Sequence, residues 1–206
     1  MKLPKSVNIK YSNKLFHNKY KFKIVLRTGV ASWFRGGKLD YVLKSLSNKH
    51  HFPVYSKEEH VFAQTVYNTV VDMEGLMTRV ESPFLSFYTN NESNLKLIVA
   101  IDHERIKYIS MPDPEKSEIS VGSILVKKLD FGFKITMGAT RQNLSSFVQW
   151  SKDNPKVRLP KRAERDLSKD HSYGGSHFYV KDEKSLTLVK MFLGSYITKI
   201  ETVIRS

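Results

Sequence analysis

The chain has seven histidines and no cysteine, so side-chain proton transfer near neutral pH falls to imidazole. Thiolate catalysis, disulfides, Cys-ligated zinc and iron–sulfur clusters are excluded. Two of the histidines, His171 and His177, flank Tyr173 and the pair Gly174-Gly175, just after a basic stretch. A base on a ribose 2′-OH, an acid on the leaving oxygen and a cation on the phosphate are what metal-independent RNA cleavage needs. His171, Tyr173 and His177 are groups of those types. The competing reading of the same residues is a glycine-rich turn before a strand. His50-His51 with His60 could ligate a metal, but surface histidines on loops are the favoured reading. Sharper signatures are missing. His103-Glu104 is followed by Lys107 where H-E-x-x-H needs its second histidine, G-x-S-x-G does not occur, and the carboxylates are scattered along the chain. No cofactor and no metal are therefore expected.

A phosphate loop is suggested and then refused by the stretch 28–38, TGVASWFRGGK. The pattern needs glycine where Ser32 stands and Ser or Thr where Leu39 stands. What survives is a weaker idea, in which glycine amides, Arg35, Lys38 and the next helix N-terminus hold one phosphate. The favoured alternative is a plain strand–helix connection with Trp33-Phe34 tucked into the core.

The formal net charge is +14 over 206 residues, and it is unevenly spread. Cations run from Lys2 to Lys49 against the single acid Asp40, and a second block carries Lys152, Lys156, Arg158, Lys161, Arg162, Arg165 and Lys169. Such asymmetry points to a polyanionic partner. Nucleic acid is expected first, an acidic protein second, and a membrane surface or a merely solvated basic face after these. No apolar run approaches the roughly 18 residues of a membrane span. The N-terminal residues match neither a secretory nor a transit signal, and an intracellular protein, cytoplasmic or viral, is expected.

These residues must be positioned by elements, and the chain spells one unit twice in its pattern of residues. FLSFYTNNESNLKLIVAIDHERIKYISM, moved forward by about ninety residues, falls on SHFYVKDEKSLTLVKMFLGSYITKIETV. Phe87-Tyr88 then matches Phe178-Tyr179, Glu92 matches Glu183, Leu95 and Leu97 match Leu186 and Leu188, and Ile106 and Ile109 match Ile197 and Ile200. Both copies read strand, turn, helix, strand. Upstream, 20–27 alternates, with Phe22, Ile24 and Leu26 on one face and Lys21, Lys23, Val25 and Arg27 on the other. The stretch 131–137 repeats that alternation and places Lys134 on Lys23. Helices are expected over 39–46, 57–73, 92–101 and 143–152, strands over 76–81, 105–111 and 124–129, and an exposed or binding-ordered basic loop over 154–175.

The expected organisation is a basic flexible arm over 1–19, a first half over 20–111, a linker over 112–123 and a second half over 124–206. Each half reads βαββαβ, so the fold class is α+β, two tandem ferredoxin-like halves related by internal duplication. The element order resembles that of RNA-recognition modules. Of their third-strand signature, Gly175-Ser176-His177-Phe178 keeps only Gly175 and Phe178, and Phe131–Phe133 keeps three positions on a predicted first strand. No residue roles are carried across. In size, charge and layout the chain is also similar to double ferredoxin-like endoribonucleases that process CRISPR repeats, for which His171, Tyr173 and His177 are the available groups.

On an open sheet face every second residue of the central strands is displayed, here Lys23, Val25, Arg27 and Lys134 with Tyr88, His177 and Tyr179. Aromatics beside cations suit bases and phosphates together. The leading expectation is a non-enzymatic nucleic-acid-binding protein, for RNA or a single strand. Its site residues are Lys23, Arg27, Arg35, Lys38, Tyr88, Lys134, Lys156, Arg158, Lys161, Arg162, Arg165 and Tyr179, with both tyrosines exposed for stacking. The opposing reading packs the tyrosine faces as core. A structural or assembly protein, viral or otherwise, whose basic arm meets nucleic acid or an acidic partner is the third class.

Overall fold

A computed structural model describes residues 4, 6–37, 55–116, 118–126 and 129–205. The chain is α+β and divides into two compact units, Met1–Pro114 and Glu115–Ser206. Each is built on a five-stranded mixed sheet, and five α-helices lie among the described residues. No described helix is long and apolar enough to cross a membrane.

In the first unit, β1 (Ile9–Ser12) is followed by β2 (Phe22–Arg27), a 3-10 turn (Ala31–Gly37), α1 (Lys57–Val70), β3 (Met77–Glu81), β4 (Phe84–Thr89), α2 (Glu92–Ile101) and β5 (Ile106–Pro112). The sheet order is β1-β5-β2-β4-β3, with β1 parallel to β5 and the other pairs antiparallel. The helices form where the sequence offers caps. Ser56 accepts from the Glu59 amide at the head of α1, and Asn91 accepts from the Ser93 amide at the head of α2, satisfying amides that the first turn leaves unpaired. Their apolar faces, Phe62, Ala63, Val66 and Val70 on α1 and Leu95, Ile98 and Val99 on α2, meet Ile24, Leu26, Leu85, Phe87 and Ile109 of the sheet. Trp33 and Phe34 enter the same core, as the plain connection predicts.

The second unit runs β6 (Ser123–Val126), β7 (Phe133–Met137), α3 (Ser145–Lys152), β8 (Val157–Arg158), α4 (Lys161–Leu167), β9 (His177–Val180), α5 (Glu183–Leu193) and β10 (Ile197–Arg205). Its sheet order is β6-β10-β7-β9-β8, with β6 parallel to β10 and the other pairs antiparallel. Asp182 caps α5 by accepting from the Ser185 amide. Phe147 and Val148 of α3, Leu167 of α4 and Leu186, Val189 and Leu193 of α5 cover Ile135, Met137, Phe178 and Val180.

Three expectations change. Residues 9–12 of the supposed flexible arm are an edge strand paired to β5, and Val7 and Leu15 are buried: Val7, Ile9 and Tyr11 alternate with polar residues inside an otherwise Lys/Asn-rich stretch. The supposed basic loop 154–175 contains β8 and α4, held by the burial of Val157, Ala163 and Leu167. The helix expected over 39–46, together with Lys38, His50 and His51, lies outside the described residues.

The registers set everything that follows. Ile24 lies opposite Phe87 and Ile109, and Ile135 lies opposite Phe178 and Ile200. Both phenylalanines are fully buried beneath the helices. Phe87→Ala and Phe178→Ala should each cost about 3–5 kcal/mol of unfolding free energy, the range for large-to-small core changes. Chemical denaturation checks this, and a cost under about 1 kcal/mol, typical of a surface change, would show that the row is not core.

Candidate nucleic-acid interface

Because strand side chains alternate, the residues next to each buried row point away from the helices. In the second unit they form a line across four strands: Arg158 on β8 faces Tyr179 on β9, Tyr179 faces Lys134 on β7, and Lys134 faces Glu201 on β10. A second line runs beside it from His177 through Thr136 to Lys199. Arg158 and His177 are exposed and Tyr179 is half-buried, with the Phe131 ring 6.5 Å away and the His177 ring edge-on at 5.8 Å.

Glu201 is the surprise on this face. It is only 3% exposed, with Lys199 Nζ 2.6 Å and Lys134 Nζ 3.7 Å from its carboxylate oxygens. The two ammonium groups supply the pairing that a buried carboxylate requires. His177 stands in their field. Burial first, then Lys134 and Arg162, push its pKa below the usual imidazole value, and Glu201 opposes them. Lys161, Arg162 and Arg165 are exposed on α4, the last two near Asp166 at 3.7 and 3.8 Å. Lys156 is engaged elsewhere: its Nζ lies 2.9 Å from Asp182. That hydrogen bond, with those from Ser185, holds the Asp182 carboxyl well below the usual carboxylate range.

The first unit repeats the central pair with different surroundings. Lys23 on β2 faces Tyr88 on β4 and, on its other side, Ser110 on β5, which in turn faces Lys10 on β1. Lys23 Nζ lies 5.5 Å from the Tyr88 ring centroid and 5.7 Å from that of Tyr108, and Lys10 Nζ lies 4.2 Å above Tyr108, within the range of cation–π attraction. Burial pulls the Lys23 pKa down, but hydrogen bonding and charge interaction with Tyr108 and Tyr88 outweigh it, and the pKa is raised.

Tyr88 itself corrects the sequence reading. It is 3% exposed, because Phe16, His17 and Tyr20 lie over it at ring separations of 5.9, 4.7 and 6.2 Å. The cover comes from a segment far away in sequence, so alternation within β4 could not reveal it. Arg27 is exposed at the end of β2 and Arg35 in the following 3-10 turn.

Of the proposed catalytic set, His171 and Tyr173 are exposed on either side of Ser172, which pairs with Thr140, and His177 is exposed at the head of β9. No group of three or more His, Asp or Glu side chains among them could hold a metal. Sequence reasoning missed Glu201, Lys199, Lys10 and Tyr108. All four fall on outer or last strands, where the lines across each sheet become visible only once the strand order is known.

No family model, curated protein or solved structure matches this chain.

Removing the Lys134 charge should raise the His177 pKa, since the ammonium opposes imidazole protonation and also tempers Glu201. A proton NMR titration of Lys134→Met should place the His177 midpoint above that of the unaltered protein. An unchanged midpoint would separate the two residues electrostatically.

Proposed function

We propose that this chain is a nucleic-acid-binding protein built of two ferredoxin-like halves derived by duplication, and that it takes RNA or another single strand on the face of the second sheet that no described helix covers. Three matches support the duplication: the Lys23–Tyr88 and Lys134–Tyr179 pairs, the buried Ile–Phe–Ile rows, and the caps Asn91 and Asp182. Leaving aside β1 and β6, the two sheet orders correspond strand for strand, and both are the order of a split βαβ fold.

The observation that carries the function is the line Arg158–Tyr179–Lys134, an aromatic ring between two cations at adjacent-strand spacing. A base stacked on a ring contributes about 1–3 kcal/mol, and cations beside it meet the flanking phosphates. An acidic protein partner would use the cations but has no need of the ring between them. A single strand is favoured over a duplex because its bases are free to stack.

Fluorescence anisotropy with labelled single-stranded RNA, single-stranded DNA and duplex tests this. Single strands should bind more tightly than duplex, with a log–log salt slope of about −0.7 per phosphate engaged. Replacing Lys161, Arg162 and Arg165 together by alanine should flatten that slope by up to about 2, with circular dichroism unchanged. The RNA recovered should be intact; cut RNA would favour the endoribonuclease reading. No affinity at low salt would overturn nucleic-acid binding in favour of an acidic protein partner.

A further inference from the structure

The two central Lys–Tyr pairs have the same register but different exposure. Tyr179 is half-buried, and among the described residues the rings near it, Phe131 and His177, both belong to its own sheet or the residue run leading into it. Tyr88 is covered by a turn that approaches from outside the central strands. Phe16 and Tyr20 exchange backbone hydrogen bonds at 2.9 Å, and the Lys19 amide donates to the Phe16 carbonyl at 3.0 Å. Between them His17 and Asn18 have φ of 52° and 55°, left-handed backbone that residues other than glycine adopt infrequently. This conformation presents the His17 imidazole edge-on to the Tyr88 ring at an interplanar angle of 83°. The Lys21 amide donates to Asn90 Oδ1 at 2.8 Å, tying the exit of the turn to the residue that follows β4.

We infer that the turn 16–20 occupies, on the first sheet, the place a single strand takes on the second, so that the chain has one open base-stacking site at Tyr179 and one covered site at Tyr88. The inference rests on the proposed nucleic-acid binding. The turn supplies rings and no negative charge: its ionisable side chains are His17, Lys19 and Tyr20. It stands in for a base and not for a phosphate. Lys10 and Lys23 beneath and beside it are paired with tyrosine rings, a weaker partner than a phosphate. A single strand brings both a base and a phosphate to these cations, which makes the covered site fit for the same class of ligand once the rings of the turn are removed. The equivalent cation in the second unit, Lys134, instead has Glu201 at its side, where the first unit has Ser110.

The full chain is titrated calorimetrically with a short oligouridylate of about four nucleotides, within the site size of one small module. The unaltered protein should bind one strand per chain, and Tyr179→Ala should weaken that binding by about five- to hundredfold, the equivalent of one lost stack. The double variant Phe16→Ser, His17→Gly removes two covering rings and places glycine where φ is positive. It should bind two strands per chain. In parallel, NMR of the unaltered protein at saturation should shift amides of β9 and leave those of β4 in place, a readout that requires no variant to fold. Two strands per unaltered chain, shifts on β4 equal to those on β9, undiminished binding by Tyr179→Ala, or one strand per folded double variant would each overturn the inference while leaving nucleic-acid binding intact. Absence of binding by every form would overturn the underlying reading as well.

Discussion

The register between the first and third strands of each core sheet is the constraint on which the rest depends. Once Ile24 meets Phe87 and Ile135 meets Phe178 under the helices, the neighbouring Lys23–Tyr88 and Lys134–Tyr179 pairs must lie on the other face. A slip of one residue would reverse both faces at once, burying two lysines under apolar helices and exposing two phenylalanines. The cost of that exchange locks the register, and the register in turn delivers a cation–aromatic pair to the middle of a face that no described helix covers.

What differs between the units is how each pair is completed. On the first sheet the neighbours of Lys23 are tyrosine rings, and a turn of rings closes over them. On the second, Lys134 leans on a buried carboxylate shared with Lys199, and the ring beside it remains half-exposed. One residue change on the last strand, Ser110 against Glu201, therefore goes with a change from a ring-lined surface to an ion-paired one. The ion-paired arrangement fixes the lysine at a definite place, and Arg158 and the cations of α4 add positive potential around it.

Much of this was legible in the residues. Strict alternation over 20–27 and 131–137 told inward from outward positions, and the Phe-Tyr pair marked matching strands. Other features were not legible, for physical reasons. β1 is four residues long and almost wholly exposed, and its short alternation of Ile9 and Tyr11 with polar residues is submerged in a Lys/Asn-rich stretch. β8 is two residues long, too short for any periodicity. The basic run containing α4 buries only Ala163 and Leu167 of that helix, and its composition alone reads as a loop. The cover on Tyr88 and the burial of Glu201 depend on partners brought in by strand order, which local pattern does not encode.

The central claim is that a single strand lies across β8, β9 and β7 of the second unit and contacts Tyr179. Photo-crosslinking of the unaltered protein to a 4-thiouridine-substituted strand, with adducts located by peptide mass spectrometry, tests it most directly. The account predicts adducts on the peptide carrying His177 and Tyr179 and on that carrying Lys161, Arg162 and Arg165, with none on the β4 peptide carrying Tyr88. Adducts confined to the β4 peptide, or to the helices that cover the opposite faces of the sheets, would contradict it.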